Sequence, residues 1–293
     1  MDERLRSTGY IRIDETPVQV INSEKAASSE HWMWVRVAAP PRQRIILFDY
    51  DASRSGEVAA RLLEGAHGVI QSDGYSAYDQ VAKHHGLVHC GCIAHARRKF
   101  FEAIKALPKK EQKSATAAHE AVRRIDELYK IERESSLLGD AERAVVRQEK
   151  ALPLLKSLRT WAADLELQTL PSGKLGKALA YLLKQWPKLI RYTEDGKVAI
   201  DTNLAENAIR PFALGRRNWL FADTVSGAKA SAHLYSLVQT ARANELEPYA
   251  YLRRLFTELP AAQAVEQIEV LLPWKLQPRS SAYLAANYRR WAP

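Results

Sequence analysis

Asp14, Asp73 and Glu206 are the residues of this sequence best placed to do chemistry together. Asp14 ends a short alternating run, Tyr10-Ile11-Arg12-Ile13-Asp14. Asp73 ends an apolar one, Val69-Ile70-Gln71-Ser72-Asp73, with Gly74 and Tyr75 directly after it. Glu206 lies in Asn203-Leu-Ala-Glu206-Asn-Ala-Ile-Arg210-Pro211, at the start of an expected helix. Carboxylates that share one point repel unless a hard cation neutralises them, and Mg²⁺ or Mn²⁺ prefers such oxygen ligands. The expected cofactor is therefore Mg²⁺ or Mn²⁺, as two ions, since a two-metal clamp drives in-line displacement at phosphorus.

Each carboxylate also has a plainer use. Glu15-Thr16-Pro17 suits a turn after Asp14, with the aspartate accepting turn hydrogen bonds. Asp73-Gly74 has the form of an ordinary strand-to-helix turn. Asn203-x-x-Glu206 nearly matches a capping box, in which the glutamate only bonds back to the cap amide. The joint pattern favours chemistry: a strand-four aspartate lies beside a strand-one aspartate when a right-handed crossover follows a meander. Asp49, Asp51, Asp79 and Asp201 compete as ligands, but none combines a strand end with such a partner.

The elements that must hold these residues follow from periodicity. Strands are predicted over 10–14, 32–38, 44–50, 69–73 and 87–92, with helices over 54–64 and 75–85 between them. That order, βββαβαβ, predicts an α/β fold with a mixed five-stranded sheet and helices on its faces. From residue 93 to 192 the pattern turns helical. Helices are predicted over 114–138, from Asp140 towards Trp161 with a kink at Pro153, and over 174–191. Asp195-Gly196 marks a turn, and further helices are predicted over 204–210, 227–244 and 248–258. The expected organisation is a core over 9–92 and 193–260, a helical insertion over 93–192 before Glu206, and a tail over 261–293 that is irregular and basic after Pro273.

The net charge is +9 over 293 residues, and it is concentrated. Arg97, Arg98, Lys99, Lys105, Lys109, Lys110 and Lys113 outweigh Glu102 and Glu111, while Lys275, Arg279, Arg289 and Arg290 meet no acid near the end. These two segments carry the whole excess. Clustered positive charge suits a polyanion, because neutralising phosphates releases counterions; a solvated basic face is the alternative. Arg97, Arg98, Lys99, Arg210, Arg216 and Arg217 are the candidate phosphate ligands. Trp219 is a candidate for stacking on a base, with core packing as its alternative. Cys90, Cys92 and His95 have the spacing of one side of a zinc site, but no second ligand pair is evident, so a structural role is expected. No apolar run reaches the ~20 residues of a membrane span, and the start lacks a signal peptide. A soluble cytoplasmic protein is expected.

Several blocks carry a resemblance to a known family. They are Ile13-Asp-Glu-Thr-Pro17, Gln71-Ser-Asp-Gly-Tyr75, Cys92-Ile-Ala-His-Ala-Arg-Arg-Lys-Phe100 and Asp201-Thr-Asn-Leu-Ala-Glu206-Asn-Ala-Ile-Arg210-Pro211. Gly215-Arg-Arg-Asn-Trp-Leu-Phe221, Tyr235-Ser-Leu and Leu271-Leu-Pro-Trp274 continue them. From about residue 9 to 276 the chain resembles the bacterial insertion sequence 66 (IS66) transposases. The resemblance implies a ribonuclease-H-like core of the DDE type, with Asp14, Asp73 and Glu206 as the metal-binding catalytic triad. It implies DNA transposition: hydrolysis that frees a 3′-end of an insertion element, then strand transfer into target DNA. The implied partners are double-stranded DNA, at element ends and target, and a second copy of the chain on that DNA; the implied setting is the bacterial nucleoid. Full-length members carry a substantial N-terminal region with DNA-binding elements, whereas this chain starts close to its first strand. One alternative is therefore a non-catalytic relic that binds DNA or dimerises with a full-length transposase. A nuclease of the same fold acting on RNA–DNA hybrids is another.

Overall fold

The computed structural model describes residues 1–26, 29–40 and 43–276. In chain order the elements are α1 (Asp2–Arg6), β1 (Tyr10–Asn22), β2 (Glu30–Ala38), β3 (Ile45–Asp51), α2 (Gly56–Leu62), β4 (Val69–Gln71), α3 (Ala77–His85) and β5 (Val88–Cys90). There follow α4 (Ile93–Lys105), α5 (Ala117–Glu134), α6 (Asp140–Val146), α7 (Leu152–Glu166) and α8 (Lys174–Leu189). The chain continues with α9 (Asn203–Trp219), β6 (Phe221–Thr224), α10 (Val225–Ala243), α11 (Pro248–Glu258) and α12 (Val265–Glu269). The predicted order βββαβαβ is present, and β6 is a strand the periodicity missed. The chain forms two compact units, one of Met1–Val58 with the residues from Ala205 onward, the other of Ala59–Leu204. The basic tail expected after Pro273 lies, from residue 277 on, outside the described residues.

In the first unit β1 and β2 are antiparallel, from Arg12↔Val37 to Gln19↔Glu30, and β2 and β3 are antiparallel, from Trp32↔Asp51 to Ala38↔Ile45. β6 runs parallel to β1, with Gln19 opposite Phe221. The sheet of this unit is thus mixed. β1 is far longer than predicted: Asp14 lies inside it, and Glu15-Thr16-Pro17 is strand rather than turn. Pro17 is tolerated because its carbonyl accepts a bond from the Arg216 guanidinium. A strand residue points its N–H and C=O to the same side, so the missing N–H of Pro17 also faces Arg216 and costs the β1–β2 ladder nothing. Beyond it, buried Val18 and Val20 alternate with exposed Gln19, which is the period-two signal that Pro17 masked.

The outer edge of β3 is covered by α10 through side chains. Ser236, Thr240 and Asn244 follow one another at four-residue spacing, so they share a helix face. Thr240 Oγ1 accepts from the Ile46 N–H at 3.0 Å and donates to the Ile46 carbonyl at 2.8 Å. Ser236 Oγ accepts from the Phe48 N–H at 2.7 Å, and the Asn244 amide donates to the Arg44 carbonyl at 2.7 Å. Three polar side chains thereby stand in for a missing strand and close an edge that would otherwise invite pairing with another chain. Thr240→Val keeps the shape but leaves a buried N–H and C=O unpaired, at about 1–3 kcal/mol for each group. A clear drop in the denaturation midpoint, restored by Thr240→Ser, is the expected result; an unchanged midpoint counts against the edge-closing role.

The helix that carries Glu206 also departs from expectation. α9 does not stop before Pro211 but runs through it to Trp219. Pro211 removes the bond to the carbonyl four residues back. Buried Ala208, Ile209 and Phe212 on either side hold the helix through that gap. It ends where Leu220 takes a left-handed conformation (φ 63) and starts β6. A leucine is an unusual choice at such a position, which is why nothing in the sequence announced the turn.

The second unit contains the parallel pair β4 and β5, joined through α3, and the helices α4 to α8. α5 buries Ala118, Ala121, Val122, Ile125, Leu128 and Ile131, a single apolar stripe at helical spacing. α8 answers with Ala178, Leu179, Leu182, Trp186 and Leu189, and α7 with Leu155, Leu158 and Ala162. The kink expected at Pro153 is a π turn over Arg147–Ala151. Pro153 cannot donate to the Glu149 carbonyl, and the ladder widens there.

Candidate active-site carboxylates and a cationic groove

Asp14 and Glu206 belong to the first unit and Asp73 to the second. Asp14 is half-buried inside β1, and its Oδ1 accepts from the Glu15 N–H at 2.9 Å. Its neighbour Glu15 is committed elsewhere, to an ion pair with Arg54 at 2.5 Å. Asp73 follows β4 by two residues and is half-buried. Its Oδ1 accepts from the Tyr75 N–H at 2.9 Å, and among the described residues its second oxygen accepts no hydrogen bond. A Cβ at Gly74 would lie 2.8 Å from Gln185 Nε2 and 3.0 Å from the Tyr181 hydroxyl, so a larger residue there would displace these side chains. Burial, and then the charge of Asp73, push the Tyr181 phenol above its ordinary range, so it stays a neutral hydroxyl near that carboxylate.

Glu206 is half-buried in the first turn of α9. In the capping-box alternative it accepts the Asn203 amide, but that N–H donates to Asp201 Oδ1 at 3.0 Å. The Asn203 side-chain amide donates to Asp201 Oδ2 at 2.7 Å, and the Tyr129 hydroxyl bonds the same oxygen at 2.9 Å. Asp201 therefore starts this helix. The other competing carboxylates are also engaged. Asp49 pairs with Arg36 at 2.9 Å, Asp79 pairs with His89 and Lys188, and Asp51 accepts from the Ser53 N–H.

Of the candidate phosphate ligands, Arg97, Arg98 and Lys99 lie on α4. Arg97 is held by Asp126 at 2.7 Å and covers the Phe101 ring at 4.5 Å. Together with Arg98, Tyr129, Arg133 and Asn203 these side chains line a groove of about 520 Å³. Lys99 lies 3.9 Å from Glu102. Arg133 went unnoticed in the sequence, although Asp126, Tyr129 and Arg133 stand at i, i+3 and i+7 of α5 and so share a face. Arg210 and Arg217 are exposed on α9, whereas Arg216 is half-buried against Pro17. Trp219 meets the Phe212 ring edge-on at 5.3 Å and is 37% exposed. It helps to line an apolar pocket of about 240 Å³ with Phe221 and Tyr235. Gly215 makes room for it, since a Cβ there would sit 2.9 Å from Trp219 Nε1.

Cys90 and Cys92 are both buried, and burial pushes their thiols up to about 12 and about 11. Cys92 Sγ accepts from the Thr202 N–H at 3.3 Å.

The chain is a mixed α/β protein with half-buried carboxylates inside a strand, in the turn after a strand and at the start of a helix. The chain is a member of the transposase IS66 family, whose profile matches residues 1–230; the IS66 C-terminal element matches residues 236–274. It is similar to uncharacterized protein y4hP of Sinorhizobium fredii, 32% identical over 285 residues that cover 92% of this chain and 51% of that protein. It is similar also to uncharacterized protein y4jD of the same organism, at 31% identity, covering 92% and 54%. The chain thus spans about half the length of the curated relatives it matches. A chain in the solved simian T-cell lymphotropic virus intasome complex matches 47% of this chain and 46% of that chain at 13% identity, with a TM-score of 0.23, a likeness too slight to bear on the fold. No helix among the described residues is long and apolar enough to cross a membrane.

Proposed function

We propose that the chain is a DNA strand transferase of the DDE type on a ribonuclease-H-like core, with Asp14, Asp73 and Glu206 as its metal-binding catalytic carboxylates. The observation that carries this reading is how the acidic residues are spent. Asp49, Asp79 and Asp201 are tied to arginine, histidine and lysine, or to tyrosine and asparagine, whereas Asp73 keeps one carboxylate oxygen without a hydrogen bond among the described residues. Family membership points to the same chemistry.

The donor set fits a hard divalent cation, since all three side chains offer carboxylate oxygen and none is fully buried. Bound Mg²⁺ or Mn²⁺ would activate the attacking oxygen and stabilise the leaving one. The residues' own part is to supply negative charge. In the reaction a water oxygen forms a bond to phosphorus as the bond to the 3′-oxygen breaks, which frees a 3′-hydroxyl. That hydroxyl then attacks a target phosphodiester in the same way, so no covalent protein–DNA intermediate is required. Arg98 and Arg133 in the groove, with Arg210 and Arg217 on α9, serve the DNA backbone. A pair of chains on paired ends completes the reading.

The test is nicking of supercoiled plasmid. Nicking that requires Mn²⁺ and stops with EDTA is expected, and nicking that persists in EDTA sinks the proposal. For the groove, Arg133→Gln is expected to weaken nonspecific DNA binding and to lower the slope of log affinity against log salt by about 1. An unchanged slope removes Arg133 from the DNA contacts.

A further inference from the structure

Behind Asp73 lies a chain of polar groups that the proposed chemistry does not itself use. His89, on β5, is 7% exposed, and both of its ring nitrogens are engaged. Nδ1 is 2.7 Å from Asp79 Oδ1, in the first turn of α3, and Nε2 is 2.8 Å from the Ser72 hydroxyl. Lys188, from α8, holds both oxygens of Asp79, at 3.0 and 3.1 Å. Ser72 is fully buried; its N–H donates to the Cys90 carbonyl at 3.2 Å, and its hydroxyl is 3.1 Å from the Asp73 carbonyl. The Tyr78 ring meets His89 edge-on at 6.2 Å and closes the remaining side.

The order Asp79–His89–Ser72 is that of a nucleophilic triad, but a serine with no exposed surface meets no substrate. Proton accounting gives another use. An ionised Asp79 only accepts, so Nδ1 carries the hydrogen of a neutral ring, and Nε2 must then accept from Ser72. Burial holds His89 below the ordinary imidazole range despite Asp79, and a neutral ring follows. The Ser72 hydroxyl proton thus goes to Nε2, with the Asp73 carbonyl a second acceptor in reach at 3.1 Å, and these two contacts hold the Ser72 rotamer. Ser72 immediately precedes Asp73, so a residue pinned at its N–H and its hydroxyl sets the direction in which the next side chain leaves the backbone.

We propose that Asp79, His89 and Ser72 form a buried positioning relay that holds the Asp73 turn in place. Its importance for catalysis rests on Asp73 being a metal ligand, as proposed above; its geometry does not. The experiment compares the wild type with Ser72→Ala, His89→Asn and Asp73→Asn. It reads amide hydrogen exchange at Tyr75, whose N–H is bonded to Asp73 Oδ1, and Mn²⁺ affinity by calorimetry. Ser72→Ala is expected to speed Tyr75 exchange about tenfold while α5 amides stay as in the wild type. It should also weaken Mn²⁺ binding. His89→Asn, which keeps a donor for Asp79 but shortens the reach to Ser72, should do the same. Asp73→Asn still accepts from Tyr75, so it should lose Mn²⁺ without losing Tyr75 protection. Unchanged Tyr75 exchange in both relay variants overturns the relay, as does an equal rise across α5 and α8, which would mean general loosening. If wild type and Asp73→Asn bind Mn²⁺ alike, the metal reading of Asp73 fails, and Tyr75 exchange alone decides the relay.

Discussion

Arg147→Ala is expected to destabilise the second unit by about 3–5 kcal/mol, the range for removing one partner of a buried ion pair. Arg147 is 1% exposed, in the π turn between α6 and α7. Its Nε and Nη2 meet the two oxygens of Glu132 at 2.9 and 2.6 Å, and its Nη1 reaches the carbonyls of Tyr192, Asp195 and Val198 at 2.8, 2.7 and 2.8 Å. Truncation strands a carboxylate that is largely buried and removes the common donor of three carbonyls. Arg147→Lys should rescue little, since a point ammonium cannot reproduce a planar fork. Arg147→Ala/Glu132→Ala should recover part of the loss by removing the stranded charge. Urea unfolding followed by tryptophan fluorescence measures this; a loss below about 1 kcal/mol would mean that water replaces the arginine.

Asp73→Asn and Glu206→Gln are each expected to lower Mn²⁺-dependent nicking by about 10³-fold or more, several kcal/mol of lost transition-state stabilisation. The substitutions keep size and one carbonyl oxygen but remove the charge that a divalent cation requires. The carbonyl oxygen that Asp73→Asn retains can still accept from the Tyr75 N–H, so melting temperature should hold while activity falls. Glu206 carries the sharper question. With Asp201 already accepting the Asn203 amide, the start of α9 does not depend on Glu206 for that bond, and Glu206→Gln should melt close to wild type. Full activity with a lowered melting temperature would instead make Glu206 a structural residue.

Much of the scaffold was legible because it repeats with a period. The stripe of α5 and the leucine spacing of α8 state both helix and buried face in adjacent residues. The strands β2 and β3 were equally plain, as short runs rich in aromatic and branched apolar residues. Reading failed where one residue contradicted its surroundings. Pro17 looked like the end of β1 and Pro211 like the end of α9, yet both elements continue. β6 was missed because it is four residues long and follows a left-handed leucine.

What the sequence determined by itself is a mixed α/β architecture, the family, and which three carboxylates deserve testing, since all three follow from local spacing or from blocks of adjacent residues. Only the tertiary structure decided how the polar side chains are used. The rungs that Ser236, Thr240 and Asn244 supply to β3, the five bonds of Arg147, and the run from Asp79 through His89 to Ser72 join residues distant in the chain. Such bonds depend on which backbone groups the packed elements leave without partners. A burial pattern shows where an element faces the core, but not which N–H or C=O it leaves open there.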